Sequence, residues 1–319
     1  MSDKLLVALS PDSSAVKVAQ MALELSKTLG LTGLAVAIET QKGPATLEHI
    51  LQNVRVNYPA LDALEEFSLG DALEGYISKA PSVVDGILHS VRELKPALLV
   101  MGTQGREGLS RMLEGSVAEG VLKRCPVPVL LLRKGVAVDL NRLEHVLVSV
   151  ESDPGSERAL EGAVKICQQT GARLTLLHVL VGSAMTYGVV HGGYPPTEAQ
   201  NNFAQWRIRG VGLLERLETA ARNLGGAELQ LETALLETFD TSVSSKILTY
   251  AREHAVDLLT MSTSSKSGLD RLFLGSVAEG VIHHADLPVL LVGPAAQRNT
   301  VSAALEPTRV DQDIQTRSR

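Results

Sequence analysis

Gly102, Gly105, Gly115 and Ser116 stand in the order G-x2-G-x9-G-S, with Val117 next in the chain. A glycine just past a strand turns the chain sharply and lets a ligand approach the backbone with no Cβ in the way. The Gly-Ser pair opens a helical pattern. There, unpaired N–H groups and a partial positive charge attract an anion, and a serine can cap the helix or donate its hydroxyl. Arg106, in the intervening loop, adds a cation. Together these residues can cradle a phosphate. They are also ordinary turn and capping chemistry, and spacing alone does not separate the two. No GK[ST] closes the stretch as in a Walker loop, and it is not the G-x-G-x-x-G of dinucleotide folds.

The stretch is written twice. Positions 109–132 and 269–292 agree at 13 of 24 residues under a shift of 160. Upstream, 6–30 answers 147–171 at a shift of 141, so the second copy carries about 19 extra residues. The segment YGVVHGGYPPTEAQNN, rich in Gly, Pro and Asn, is a natural place for them. Gly275-Ser276 repeats Gly115-Ser116, but Ser262 and Ser265 stand where the first copy has Gly102 and Gly105. The residues that start a helix are kept, and those that admit a phosphate are lost.

Each copy must supply elements that position these residues. In the first, strands are predicted over 5–9, 34–38, 73–78, 97–102 and 127–133, helices over 14–29, 82–94 and 116–124, and a mainly helical stretch over 45–73. In the second, strands are predicted over 146–150, 174–179, 229–237, 258–261 and 289–292, and helices over 156–170, 206–224, 242–254 and 276–284. Such alternation implies βαβ units, a parallel sheet and helices on both faces. Ligands in such sheets sit beyond the carboxyl ends of the strands, at the switch point. The last strands, VPVLLLR and LPVLLV, fall at sheet edges that must be paired or covered.

The chain has 319 residues, 45% of them apolar, which suits two domains with a core each. A net charge of −6 with no basic field argues against nucleic acid as a partner. No apolar run approaches the roughly 18 residues of a membrane span, and MSDKLLVALS reads directly into a strand rather than as a signal peptide. Cys125 and Cys167 make no disulfide framework and read as small buried thiols of a cytoplasmic protein. His283 and His284, adjacent on a helix, point in different directions and do not read as a metal site. His178 reads as a hydrogen-bonded structural residue near the cleft.

G-x2-G-x9-G-S followed by VAEG and CPVPVLLLR resembles the universal stress protein family, whose ATP-binding members carry G-x2-G-x9-G-[ST] after the fourth strand. The first strand and helix of each copy and AREHAVDLLTMS resemble it too, so the likeness covers 4–133 and 144–293. It implies an α/β fold of adenine nucleotide α-hydrolase type in tandem: two open five-stranded parallel sheets in the order 3-2-1-4-5, over 1–135 and 143–293, with a flexible tail at 294–319. It also implies that the last strands pair across an internal two-fold as a pseudo-dimer.

The implied ligand is ATP or AMP, with or without Mg. The resemblance places its phosphates on Gly102, Gly105, Gly115 and Ser116, flanked by Arg106 and Val117, and its adenine against the backbone of Ile38 or its neighbour. The family's nucleoside-facing aspartate falls on Ser10, where a neutral hydroxyl makes a weaker contact than a charge-assisted one. Glu151 keeps an acid at that place in the second copy. One nucleotide per chain, in the first copy, is therefore expected. Three functions fit: a cytoplasmic stress-response module that binds ATP, a non-nucleotide scaffold for partner proteins, and a slow ATPase or nucleotide-dependent transferase. The fold does not choose among them. No residue is singled out as catalytic, and association into homodimers stays open.

Overall fold

The apolar runs of the inner strands do not alternate with polar residues because both of their faces are covered. The computed structural model describes residues 3–10, 15–39, 73–103, 117–133, 142–182, 198–239, 241–263 and 274–296. The first copy runs β1 (Lys4–Leu9), α1 (Ala15–Thr28), β2 (Thr32–Glu39), β3 (Leu73–Lys79), α2 (Val83–Leu94), β4 (Leu98–Thr103), α3 (Val117–Leu122) and β5 (Val129–Arg133). The second runs β6 (His145–Ser149), α4 (Pro154–Thr170), β7 (Arg173–Val181), α5 (Glu198–Gly225), β8 (Leu231–Thr238), α6 (Val243–Glu253), β9 (Leu258–Ser262), α7 (Ser276–His284) and β10 (Val289–Val292).

Strand order is β3-β2-β1-β4-β5-β10-β9-β6-β7-β8, so each half repeats the order 3-2-1-4-5. The two expected five-stranded halves join into one sheet of ten strands, because the edge strands β5 and β10 hydrogen-bond to each other, as the pseudo-dimer requires. Their pairing is antiparallel, with Val289 opposite Leu131, Leu290 opposite Leu130 and Leu291 opposite Val129. Under the shift of 160, Leu130 and Leu290 are the same residue of the repeat. A residue faces its own equivalent only on a two-fold axis, and the flanking pairs exchange roles as an isologous contact requires. The seam is thus a pseudo-two-fold through the Leu130–Leu290 pair.

Two apolar layers cover this sheet and run through both halves. Leu130, Leu132, Leu290 and Val292 face the layer that holds α1 and α4. Val129, Leu131, Val289 and Leu291 face the layer that holds α2, α3, α6 and α7. Burial pushes the Cys125 thiol up to about 11 and the Cys167 thiol up to about 12, so both act as packing groups.

The start of α4 shows how sequence sets an element. Asp153 caps it, its carboxylate accepting from Gly155 N at 2.6 Å and Ser156 N at 3.3 Å, while Pro154 occupies the first turn, where no N–H is needed. Gly171 ends the helix at φ 74°, a left-handed conformation glycine takes freely. The helix α5 begins at Glu198, eight residues before the predicted start at 206. It follows closely on Pro195-Pro196, residues that cannot lie inside a helix. The helical reading of 45–73 falls outside the described residues up to 72, and the tail falls outside them from 297.

At the amino end of the second half, two buried polar side chains meet an exposed arginine, Arg173. His145 is 2% exposed and Thr175 1%. Arg173 Nη2 lies 3.0 Å from His145 Nδ1 and donates to His254 O at 3.2 Å. His145 Nδ1 also lies 3.0 Å from His254 O, and Nε2 stands 2.8 Å from Thr175 Oγ1, so both ring nitrogens have polar partners. Burial is the main force that lowers the His145 pKa. Arg173 adds to it, and the His254 carbonyl, Asp257 and Glu232 oppose it. A lowered histidine pKa means that the unfolded chain binds the proton more readily. Stability from this site is complete above the ordinary value of 6.5 and is lost as pH falls below it. Urea unfolding at pH 7.5 and 5.5 should show the parent losing stability on acidification, and His145→Asn losing distinctly less. Equal losses would remove His145 from the account.

Candidate functional site

In each half the chain leaves β1 or β6 in one direction along the sheet and returns to the other side for β4 or β9, which opens a crevice at the carboxyl ends of those strands. In the first half Leu9 pairs with Ala37 and Ala8 with Met101. One residue on, Ser10, Ile38 and Gly102 fall together at this end of the sheet. Ile38 is 7% exposed, and its side chain covers Gly86 of α2, where an added Cβ would stand 2.5 Å from Ile38 Cγ2. That leaves Ile38's backbone as the part able to meet a ligand. Gly102 pairs with Leu132 near the carboxyl end of β4. Val117 begins α3 and is 38% exposed. Gly105, Arg106, Gly115 and Ser116 lie outside the described residues.

The repeated VAEG has a packing role that the sequence reading missed. A Cβ on Gly120 would come within 3.0 Å of Val84 Cγ2, and one on Gly280 within 2.8 Å of Ser244 Cβ. These glycines let α3 lie close on α2, and α7 on α6. The letters most faithfully repeated therefore include ones kept for helix contact.

In the second half the crevice is filled from within. Ser262, at the end of β9, donates from Oγ to Asp153 Oδ1 at 3.4 Å. Ser156 Oγ donates to Asp153 Oδ2 at 2.9 Å and accepts from Glu151 N at 2.8 Å. The carboxylate thus takes up the first amides of α4, groups that would otherwise attract an anion. The backbone at Gly155 presses against this network. A Cβ there would stand 2.6 Å from Ser262 Cβ and 2.6 Å from Asp153 Oδ1. Under the shift of 141, Gly155 corresponds to Ser14 of the first copy. The copies have therefore exchanged small and large residues: Ser14 with Gly102 in one, Gly155 with Ser262 in the other. Asp153, Gly155 and Ser156 were absent from the sequence-based site, although the helix-start pattern DPGS was there to be read. His178, with Nδ1 2.8 Å from Val150 O, is held by the backbone beside this crevice. The histidines of α7 do not converge: His284 Nδ1 lies 2.9 Å from Gly280 O, and His283 Nε2 stands 4.0 Å from Glu279.

Fold and crevice define a duplicated open-sheet α/β protein whose halves meet through their last strands. The chain belongs to the universal stress protein family, whose model matches residues 1–133 and 142–293. It is similar to a universal stress protein of Mycobacterium tuberculosis, at 25% identity over 216 residues, which is 66% of this chain and 69% of that one. A universal stress protein of Bacillus subtilis is 29% identical over 152 residues, covering 46% of this chain and 97% of its own. Among solved structures, a universal stress protein from Archaeoglobus fulgidus superposes with a TM-score of 0.62 at 20% identity, covering 92% of this chain and 99% of that one. Among the described residues no helix is long and apolar enough to cross a membrane.

The exchange of sizes makes a quantitative prediction. Gly155→Ser alone should overpack the α4 start and cost about 1–3 kcal/mol. Combined with Ser262→Gly, which reproduces the first copy's pair, most of that loss should return. Denaturant unfolding of the parent, both single variants and the double gives the coupling energy. Strict additivity would show that the two positions do not share space.

Proposed function

We propose that this universal stress protein binds one adenine nucleotide, ATP or AMP, in the copy spanning 1–135, and acts as a cytoplasmic stress-response regulatory module. The copy spanning 143–293 serves as its permanent partner without a nucleotide of its own. The observation that carries this reading is the asymmetry at one position of the repeat. Gly102 brings no side chain to the crevice, while Ser262 lies hydrogen-bonded to a carboxylate that holds the opposing helix start. A phosphate entering the second crevice would meet the negative charge of Asp153 and displace its bonds to two amides. In the first copy, Gly102, Gly105, Gly115 and Ser116 would hold the phosphates, with Arg106 and Val117 beside them. The Ile38 backbone would meet the base, and the Ser10 hydroxyl the ribose.

Ser10 also favours a second reading. Without the family's acid at that place, the duplicated fold can be a scaffold for partner proteins in which the glycines are inherited turns. Titration with ATP separates the two. Gly102→Ser and Gly105→Val should each abolish binding, the first by restoring the second copy's side chain and the second by placing a branched Cβ in the phosphate's path. Ser116→Ala should weaken binding by about 1 kcal/mol, the usual loss for a cap or neutral hydrogen bond. Ser10→Asp should strengthen it, and Ser265→Val should leave it unchanged. If Gly105→Val binds as well as the parent, the scaffold reading replaces this one.

A further inference from the structure

The seam joins the very elements that carry the first copy's motif. Gly102 and Thr103 of β4 pair with Leu132 and Arg133 of β5. Arg133 then reaches across the two-fold, its Nη1 donating to Ala285 O, at the carboxyl end of α7, at 3.2 Å. A cation at a helix carboxyl end meets both an unpaired carbonyl and the negative end of the helix dipole. Thr103, Arg133, Ile282 and Ala285 line a cavity of about 10 Å³ there, room for one water at most.

The two-fold brings the equivalent of Arg133, which is Gly293, to the corresponding place on α3. Here the approach is closer. A Cβ on Gly293 would stand 3.0 Å from Leu122 O, at the end of α3, and 3.8 Å from Cys125 O. Backbone oxygen cannot swing aside as a side chain does. A larger residue at 293 must therefore move the end of α3 or the end of β10. The helix α3 has six residues and spans only about 9 Å at 1.5 Å per residue, so Leu122 and Val117 are little more than one turn apart. Its other side is fixed on α2 by the close contact of Gly120 with Val84. Displacement at Leu122 therefore reaches Val117, beside Ser116.

We propose that Gly293, a residue of the second copy, positions the nucleotide site of the first by seating α3, and that Arg133 makes the reciprocal contact on α7. The role follows from chain geometry at the seam, and it rests on the reading of the first copy as a nucleotide site. It gives the second copy a task that explains its retention: it forms one wall against which the motif-bearing elements are set. Coupling runs both ways, because a ligand that steadies α3 also steadies the Gly293 contact.

The test uses the full chain. Calorimetric titration with ATP should show affinity falling about tenfold for Gly293→Val and less for Gly293→Ala, in the order of the added bulk. Arg133→Lys should bind close to the parent. Hydrogen exchange read on the parent should slow at 285–293 when ATP saturates the first copy, a response that a purely structural glycine would not give. Gly293→Ala keeps the test open if the valine variant does not fold. If the parent binds ATP but Gly293→Ala and Gly293→Val match its affinity, or exchange at 285–293 is indifferent to ATP, the positioning role is wrong and the nucleotide reading stands. If the parent binds no ATP, the nucleotide reading falls and takes this role with it.

Discussion

The antiparallel pairing of β5 with β10 is the constraint on which the rest of the molecule depends. An open parallel sheet ends in an edge strand of unpaired N–H and C=O groups, and β5 and β10 are too apolar to be left at such an edge. Pairing them removes both edges at once and continues both apolar layers from one half into the other. Leu130 and Leu290, each 2% exposed, sit at the axis. Truncating a single core leucine costs about 2–5 kcal/mol and the seam buries several, whereas the one charge-assisted hydrogen bond from Arg133 contributes about 1.5–3 kcal/mol. Apolar burial therefore holds the halves together, and the polar contacts at the ends of the seam set their alignment.

A two-fold makes equivalent places, and the sequence has then made them different. Arg133 is answered by Gly293, Gly102 by Ser262 and Ser14 by Gly155. Both halves keep the strand order 3-2-1-4-5, so the fold persists through these exchanges. In the second copy, Ser262 hydrogen-bonds to Asp153 and the carboxylate saturates the start of α4. This answers why a segment repeated so closely drops two glycines. The retained letters include Gly120 and Gly280, which hold helices at packing distance, whereas Gly102 and Gly105 are the residues that the proposed phosphate site would use.

Much of this was legible in the sequence. The strands showed because burial on both faces leaves unbroken runs such as ALLVM and VLLL. The strand order followed from the family resemblance, and the internal seam from it and the repeat together. The start of α5 was misjudged because polar residues after Pro195-Pro196 carry no apolar period, yet they are helical from Glu198. The Gly155–Ser262 exchange was hidden because its members align at different shifts, 141 and 160, and only their contact in space links them. The His145 cluster was hidden for a similar reason. Its members come from β6, β7 and α6, and the first copy has Lys4, Thr32 and Leu34 where the second has His145, Arg173 and Thr175.

The central claim is that a symmetric backbone carries one nucleotide site. Native mass spectrometry of the full chain titrated with ATP reads the number of nucleotides bound per molecule directly, and a structure of the complex reads their place. The account predicts a single adduct that saturates at one per chain, with the nucleotide at the carboxyl ends of β1 and β4. Two equivalent adducts, or a nucleotide seated beside Glu151 and Ser262, would contradict it.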